Sequence, residues 1–196
     1  MPLLVPPALP AGSLADHRQP LLPVDGGLSL RPWRDSDAEA VRTAFDCPGI
    51  QRWHVRRLDD LDEAGAWLAN WPARWADETA VSWAVVDDRD APLGQTGLRN
   101  ISLFEAHAAV SYWMLPAARG RGVAVRALGA LTRWSFDTLG LHRLSLQHST
   151  GNVASCRVAA KAEYALEGTQ RGSMLHADGW HDGHVHSRLR TDGTTP

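Results

Sequence analysis

Cysteine is scarce in this sequence. Its two cysteines, Cys47 and Cys156, cannot build a disulfide framework, and they suit a reducing, cytoplasmic compartment. Long apolar runs are missing too. None nears the ~20 residues a membrane helix needs, so no membrane partner is expected. Charge of one sign is also lacking. The net charge is −2, whereas a domain that grips phosphate backbones is usually strongly basic, so nucleic acid is not an expected partner. The first ten residues are apolar, but they carry Pro2, Pro6, Pro7 and Pro10 and no basic residue, and are not read as a signal peptide. No internal repeat occurs.

What is present fits one α/β domain. The 196 residues can bury a sizeable core, and 44% hydrophobic with 21% charged residues is ordinary globular composition. Nine Trp stand against three Phe and two Tyr. Trp67, Trp71 and Trp75 recur at i, i+4, i+8 and form one helical stripe, which is core first. The alternative is that some of these, with Trp53, line a pocket.

Half of the twelve prolines (Pro2, Pro6, Pro7, Pro10, Pro20 and Pro23) lie in residues 1–27, ahead of Gly26-Gly27. That segment reads as an extended or partly disordered arm, with the domain at 28–190 and a tail at 191–196. A strand is expected from Leu28 to Trp33. A helix capped by Asp35 or Ser36 then runs to about Phe45, and a second spans roughly Leu61 to Trp75, disturbed by Pro72. Strands follow at Val81–Asp87, Leu93–Phe104 and Ala108–Leu115, joined by short turns and therefore antiparallel. Next come a helix from Ala124 to Gly140, a strand near Leu144–His148 and a short helix capped by Asn152. Two last strands lie near Tyr164–Arg171 and Trp180–Leu189. The expected fold is a mixed, mostly antiparallel sheet flanked by helices.

Chemistry concentrates at Arg119-Gly120-Arg121-Gly122-Val123-Ala124. A helix start offers about four unpaired N–H groups and the positive end of the dipole. Glycine lets the backbone approach a pyrophosphate closely. By itself the turn says only that an anion binds at a helix start; an ordinary turn with solvated arginines is the plainer reading.

The wider pattern resembles the GNAT acyltransferase superfamily. Arg-x-x-Gly-x-Ala at 119–124 follows a strand ending Tyr112-Trp113-Met114-Leu115-Pro116. Phe136-x-x-Leu-Gly-Leu-His-Arg143, Asn152-x-x-Ser155-x-Arg157 and Leu166-Glu167-Gly168 then come in the order of the ribosomal-protein N-terminal acetyltransferases. The resemblance covers about residues 28–190. It implies a fold of the GNAT type and acetyl-CoA as co-substrate. It implies that Trp113, Met114 and Leu115 pair with pantetheine. The N–H groups of Arg121, Gly122, Val123 and Ala124, beside Arg119 and Gly120, would hold the pyrophosphate. Asn152 and Ser155 would meet pantetheine near the sulfur, and Arg157 and Lys161 would reach the nucleotide phosphates.

The implied reaction is attack of a primary amine on the thioester, the amine being a protein N-terminus or a small molecule. An α-amine, with a reference pKa of about 7.7–8.0, is partly neutral at pH 7 without help. Ser155 is the first candidate for protonating the leaving thiolate, and Tyr164 the second. The acidic residue that this branch carries three before the strand tyrosine is replaced by Ala109, so Glu105 and His107 are the nearby candidates for a base. The acceptor would meet Trp53, His54, Arg56, Arg57 and Tyr112. Glu163 stands where the family has a helix-ending glycine, and a non-glycine residue with positive φ costs roughly 1 kcal/mol there. His176, His181, His184 and His186 lie close together, but at no zinc-site spacing; no metal is expected. Another acyl donor, including an aminoacyl-tRNA, and a non-catalytic CoA-binding module remain alternatives. A homodimer is the expected assembly.

Overall fold

A computed structural model describes residues 3–192. The strands are β1 (Leu22–Val24), β2 (Leu28–Arg31), β3 (Val81–Val86), β4 (Pro92–Ser102), β5 (His107–Met114), β6 (Arg143–Ser149), β7 (Ala165–His176) and β8 (Gly179–Leu189). The helices are α1 (Ala38–Asp46), α2 (Pro48–Gln51), α3 (Leu61–Ala76), α4 (Val123–Trp134) and α5 (Val153–Lys161). One eight-stranded sheet runs β1-β2-β3-β4-β5-β6-β8-β7.

Every neighbouring pair is antiparallel except β5 and β6. Parallel neighbours need a crossover, and α4 supplies it. The β5–β6 pairing is short: only His107, Ala108 and Ala109 face Arg143, Leu144 and Ser145. Both strands continue, to Met114 and Ser149, without pairing further. A wedge therefore opens in the sheet between them.

α4 runs into a π-helical turn, Ser135–Leu139, and Gly140 closes it at φ 86°. The main core packs α4 against the sheet through Leu128, Leu131, Leu98 and Leu144. A smaller core joins α1 and α3 to the other face through Phe45, Leu68 and Trp113. The tryptophan stripe is core. Trp75 packs with Trp83 and Trp134, and Trp71 with Trp67, which meets Trp33 edge-on at 5.3 Å.

One expectation needs correction. Residues 3–27 are not a free arm: β1 adds an edge strand, Leu14 is fully buried, and Ala8 and Leu9 donate to the carbonyls of Phe104 and Leu103. Glu78 is the latch, accepting from the N–H groups of Gly12 (2.9 Å), Leu14 (2.6 Å) and Ala15 (3.3 Å). Proline-rich composition hides such docking because Glu78, Leu103 and Phe104 lie more than sixty residues away. The helix expected over Leu61 to Trp75 forms as α3, which carries Pro72 inside it and runs to Ala76. Trp71 and Trp75 bury one face on either side of the lost backbone bond. The tail at 191–196 lies mostly outside the described residues.

Candidate active site

The wedge between β5 and β6 opens into a cleft of about 470 Å³. That size suits a small-molecule site. One wall is the start of α4. Gly120 and Gly122 sit at φ 73° and 72°, in the left-handed region, and Gly122 is the N-cap. A Cβ placed at either would meet no protein atom within 4 Å. The glycines therefore answer to backbone conformation and leave open space in front of the helix. Arg126 N–H makes the first helical bond, to the Gly122 carbonyl. The earlier N–H groups, those of Val123, Ala124 and Val125, are the helix's unpaired donors.

The opposite wall is α5. Asn152 caps it, its side chain accepting from the Ser155 N–H at 3.1 Å. This fixes the Ser155 hydroxyl 2.6 Å from the Tyr112 hydroxyl across the wedge. Burial raises the Tyr112 phenol, the bond to Ser155 lowers it in part, and it ends pushed up to about 12. The pair is thus protonated at neutral pH. Arg157 and Lys161 line the same wall further along, and Lys161 is the chain's single lysine.

Several expected site residues meet here, and others do not. Trp113, Met114, Arg119, Gly120, Gly122, Val123, Ala124, Asn152, Ser155, Arg157 and Lys161 line the cleft, as do Trp53, His54 and Tyr112. Leu115 does not, and its N–H already donates to the Leu93 carbonyl at 2.9 Å. Arg121 is exposed and does not line the cleft, and its carbonyl accepts from Arg126. Arg119 is turned inward: its Nε donates to the Met114 carbonyl (3.0 Å) and its Nη2 to Cys47 Sγ (3.4 Å). Burial by itself raises the Cys47 thiol, but Arg119 and the Gly49 and Ile50 N–H groups outweigh it and lower it.

Glu105 and His107 are corrected outright. They face each other at 3.5 Å, both exposed, at the β4–β5 turn. At ~3.3 Å per residue, His107 stands roughly 16 Å from Tyr112, at the closed end of the wedge. Neither lines the cleft. Tyr164 is likewise no candidate: it is buried 2.7 Å from the Thr132 hydroxyl beneath α4. Arg56 does not line the cleft, and Arg57 pairs with Asp59 in solvent. Ile50 and Val125 line the cleft but drew no notice in the sequence, because an apolar wall residue has no chemical signature.

Trp53 and His54 make one part of the cleft's lining aromatic. The Trp53 ring stands 5.6 Å from the His176 ring at the tip of the β7–β8 hairpin. His54 has a buried Nδ1 without a partner among the described residues, and it is pushed down to about 4, by burial first and then by the charges of Arg99 and Arg56.

The acetyltransferase (GNAT) domain family matches residues 28–165. The chain belongs to the GNAT family. It is an acyl-CoA-dependent acetyltransferase. The match spans the wedge, the glycine turn and α5. This GNAT protein is 25% identical over 174 residues to YoaA of Bacillus subtilis strain 168, an N-acetyltransferase by name, covering 87% of this chain and 97% of that one. Its fold is similar to RimL, a ribosomal L7/L12 alpha-N-protein acetyltransferase solved with coenzyme A. The TM-score is 0.80 at 19% identity, over 87% of this chain and 98% of that one. It is also similar to Mycobacterium smegmatis RimJ, with TM-score 0.81 at 20% identity, over 90% and 88% of the two chains.

Proposed function

We propose that this enzyme moves an acetyl group from acetyl-CoA to the α-amine of a protein N-terminus. The observation that carries the reading is the Tyr112–Ser155 hydroxyl pair, 2.6 Å apart at the mouth of the wedge. Around it the roles follow from position. The open β5 edge at Trp113 and Met114 receives the pantetheine. The N–H groups of Gly122, Val123, Ala124 and Val125 hold the pyrophosphate, helped by the dipole of α4. Arg157 and Lys161 approach the outer phosphates.

In the reaction the amine nitrogen bonds to the thioester carbonyl carbon and the carbon–sulfur bond breaks. The Ser155 hydroxyl donates its proton to the departing thiolate, Tyr112 restores it to Ser155, and Tyr112 regains a proton from solvent. The amine's proton leaves to solvent. An α-amine needs no strong base, which agrees with Ala109 on β5 and with a His54 too acidic to serve as one near neutrality. The protein-acetylating activity named for RimL and the aromatic mouth at Trp53 support a peptide over a small amine. The test is thiol release from acetyl-CoA with three acceptors: a peptide with a free α-amine, the same peptide Nα-blocked but carrying lysine, and a small amine. Turnover confined to the first is expected. Turnover only with the second or third overturns the acceptor, turnover only with longer acyl-CoA overturns the donor, and failure to bind CoA in calorimetry overturns the whole reading.

A further inference from the structure

On the face of the sheet behind Ser155, four side chains converge that the acetyl-transfer chemistry does not use. β6 and β8 pair so that His148 faces His184 and Leu146 faces His186. Residues two apart share a face, so His148, His184 and His186 lie on one side. α5 covers that side and adds Cys156, the residue after Ser155. One donor atom from each of the four lies within 4.8 Å of the others.

The hydrogen bonds assign the protons. His148 Nδ1 is 2.9 Å from the Ser149 carbonyl, and His186 Nδ1 is 3.2 Å from the Tyr164 carbonyl. A carbonyl only accepts, so each Nδ1 carries the hydrogen and each neutral ring keeps its lone pair at Nε2. Those two Nε2 atoms face each other at 3.2 Å. Two lone pairs at that distance repel unless a cation lies between them. The third ring adds to the demand: His184 Nδ1 is buried and without a partner among the described residues.

The distances select the cation. Two imidazole nitrogens, each about 2.0–2.1 Å from a tetrahedral zinc, stand roughly 3.3 Å apart, and a nitrogen and a thiolate sulfur roughly 3.5 Å. The His148–His186 separation is already close to that value, and the wider pairs need to close by about 1.5 Å at most. Three imidazoles and one thiolate form a closed donor set for a borderline-soft ion. The carbonyls of Ser149 and Tyr164 are the outer partners that orient metal-bound histidines.

We propose that His148, Cys156, His184 and His186 bind one zinc ion that ties α5 to the β6–β8 pair. Cys156 binds as the thiolate, its proton passing to solvent, and the three histidines bind neutral. The ion would hold the first turn of α5, and with it Ser155, against the sheet. The sequence spacing conceals the site, since the first two ligands stand eight positions apart and a β-hairpin's length separates these from the last pair. Only the β6–β8 register makes them neighbours.

The full-length, untagged chain is stripped with chelator, reloaded with zinc, desalted and assayed for metal. About one zinc per chain is expected, with a higher melting temperature than the stripped form. Replacing zinc by cobalt(II) should give the visible bands of a tetrahedral site and a near-ultraviolet thiolate-to-cobalt band. Cys156→Ser should abolish the near-ultraviolet band, and His184→Ala, at a half-buried position, should lower zinc affinity at least tenfold. His181→Ala, in the separate His176–His181 pair, should leave both unchanged. Circular dichroism confirms that each variant is folded. Less than about one zinc in ten chains after loading overturns the proposal. So do cobalt bands indifferent to Cys156→Ser, or a shared proton between His148 and His186 seen by NMR in protein that takes up no metal.

Discussion

Ser155 holds two positions at once: its N–H closes the cap of α5 on Asn152, and its hydroxyl meets Tyr112. Ser155→Ala should keep the first and lose the second. We expect kcat to fall about 10²-fold with the KM for acetyl-CoA little changed. Tyr112→Phe should give a similar loss, and the double variant little more than either, since the two hydroxyls act as one unit. Steady-state kinetics on the four proteins decides this. Glu163 shows strain of another kind. It sits at φ 62°, as its place at a helix end implied, and Arg188 holds its carboxylate at 2.6 Å. Glu163→Ala and Glu163→Gly both remove that exposed pair, so their difference reports the backbone alone. The glycine variant should be the more stable by about 1 kcal/mol in urea titration. Equal stabilities would mean that the turn relaxes.

At the scale of elements, the start of α4 and the docking of residues 3–27 behave differently. Gly122→Ala forces a Cβ onto a left-handed N-cap that faces the open cleft. It should cost about 1 kcal/mol in stability and raise the KM for acetyl-CoA more than it lowers kcat. A lowered kcat with KM unchanged would contradict the pyrophosphate role. The N-terminal segment hangs on Glu78. Burial alone raises that carboxyl, but the N–H groups of Leu14, Gly12 and Ala15 lower it overall. Glu78→Ala should destabilise by about 1–3 kcal/mol and release the amides of Gly12 to Ala15 to fast hydrogen exchange. Exchange unchanged at those amides would show that β1 and Leu14 hold the segment without the latch.

For the whole molecule, pH reads both stability and turnover. The Glu167 carboxyl is held down to about 2, by Arg143 first and Ser187 next, and Glu78 is lowered as well. A carboxyl whose folded pKa is depressed stabilises above its unfolded value, near 4.3, and the contribution is lost as pH falls toward the folded value. His54, near 4 when folded and near 6.5 when unfolded, also costs stability as pH falls below about 6.5. Stability should therefore be flat only from about pH 7 to 8, decline below about pH 6.5 and decline further below about pH 4.5, and Glu167→Gln should flatten that last part. For turnover, kcat/KM should rise with the neutral fraction of the α-amine and level off above about pH 8. Tyr112, near 12, gives no falling limb below about pH 11, and His54, near 4, gives no rise between pH 5 and 7. A bell centred near pH 7 would show that another group titrates in the reaction.

From Leu28 onward the order of the strands and of the longer helices, the glycine turn, the Asn152 cap and the strain at Glu163 were legible from the sequence. Each depends on residues within about one helical turn of one another, and local sterics and hydrogen bonding decide such features. Glu105 and His107 misled because nearness in sequence to Tyr112 becomes distance along an extended strand. The β5–β6 wedge, the Tyr112–Ser155 contact, the Glu78 latch and the His148–Cys156–His184–His186 cluster join residues from 38 to 66 positions apart, or strands that only the sheet makes neighbours. Register and helix packing set those distances, so tertiary structure alone decided where the hydroxyl pair and the four metal-binding side chains meet.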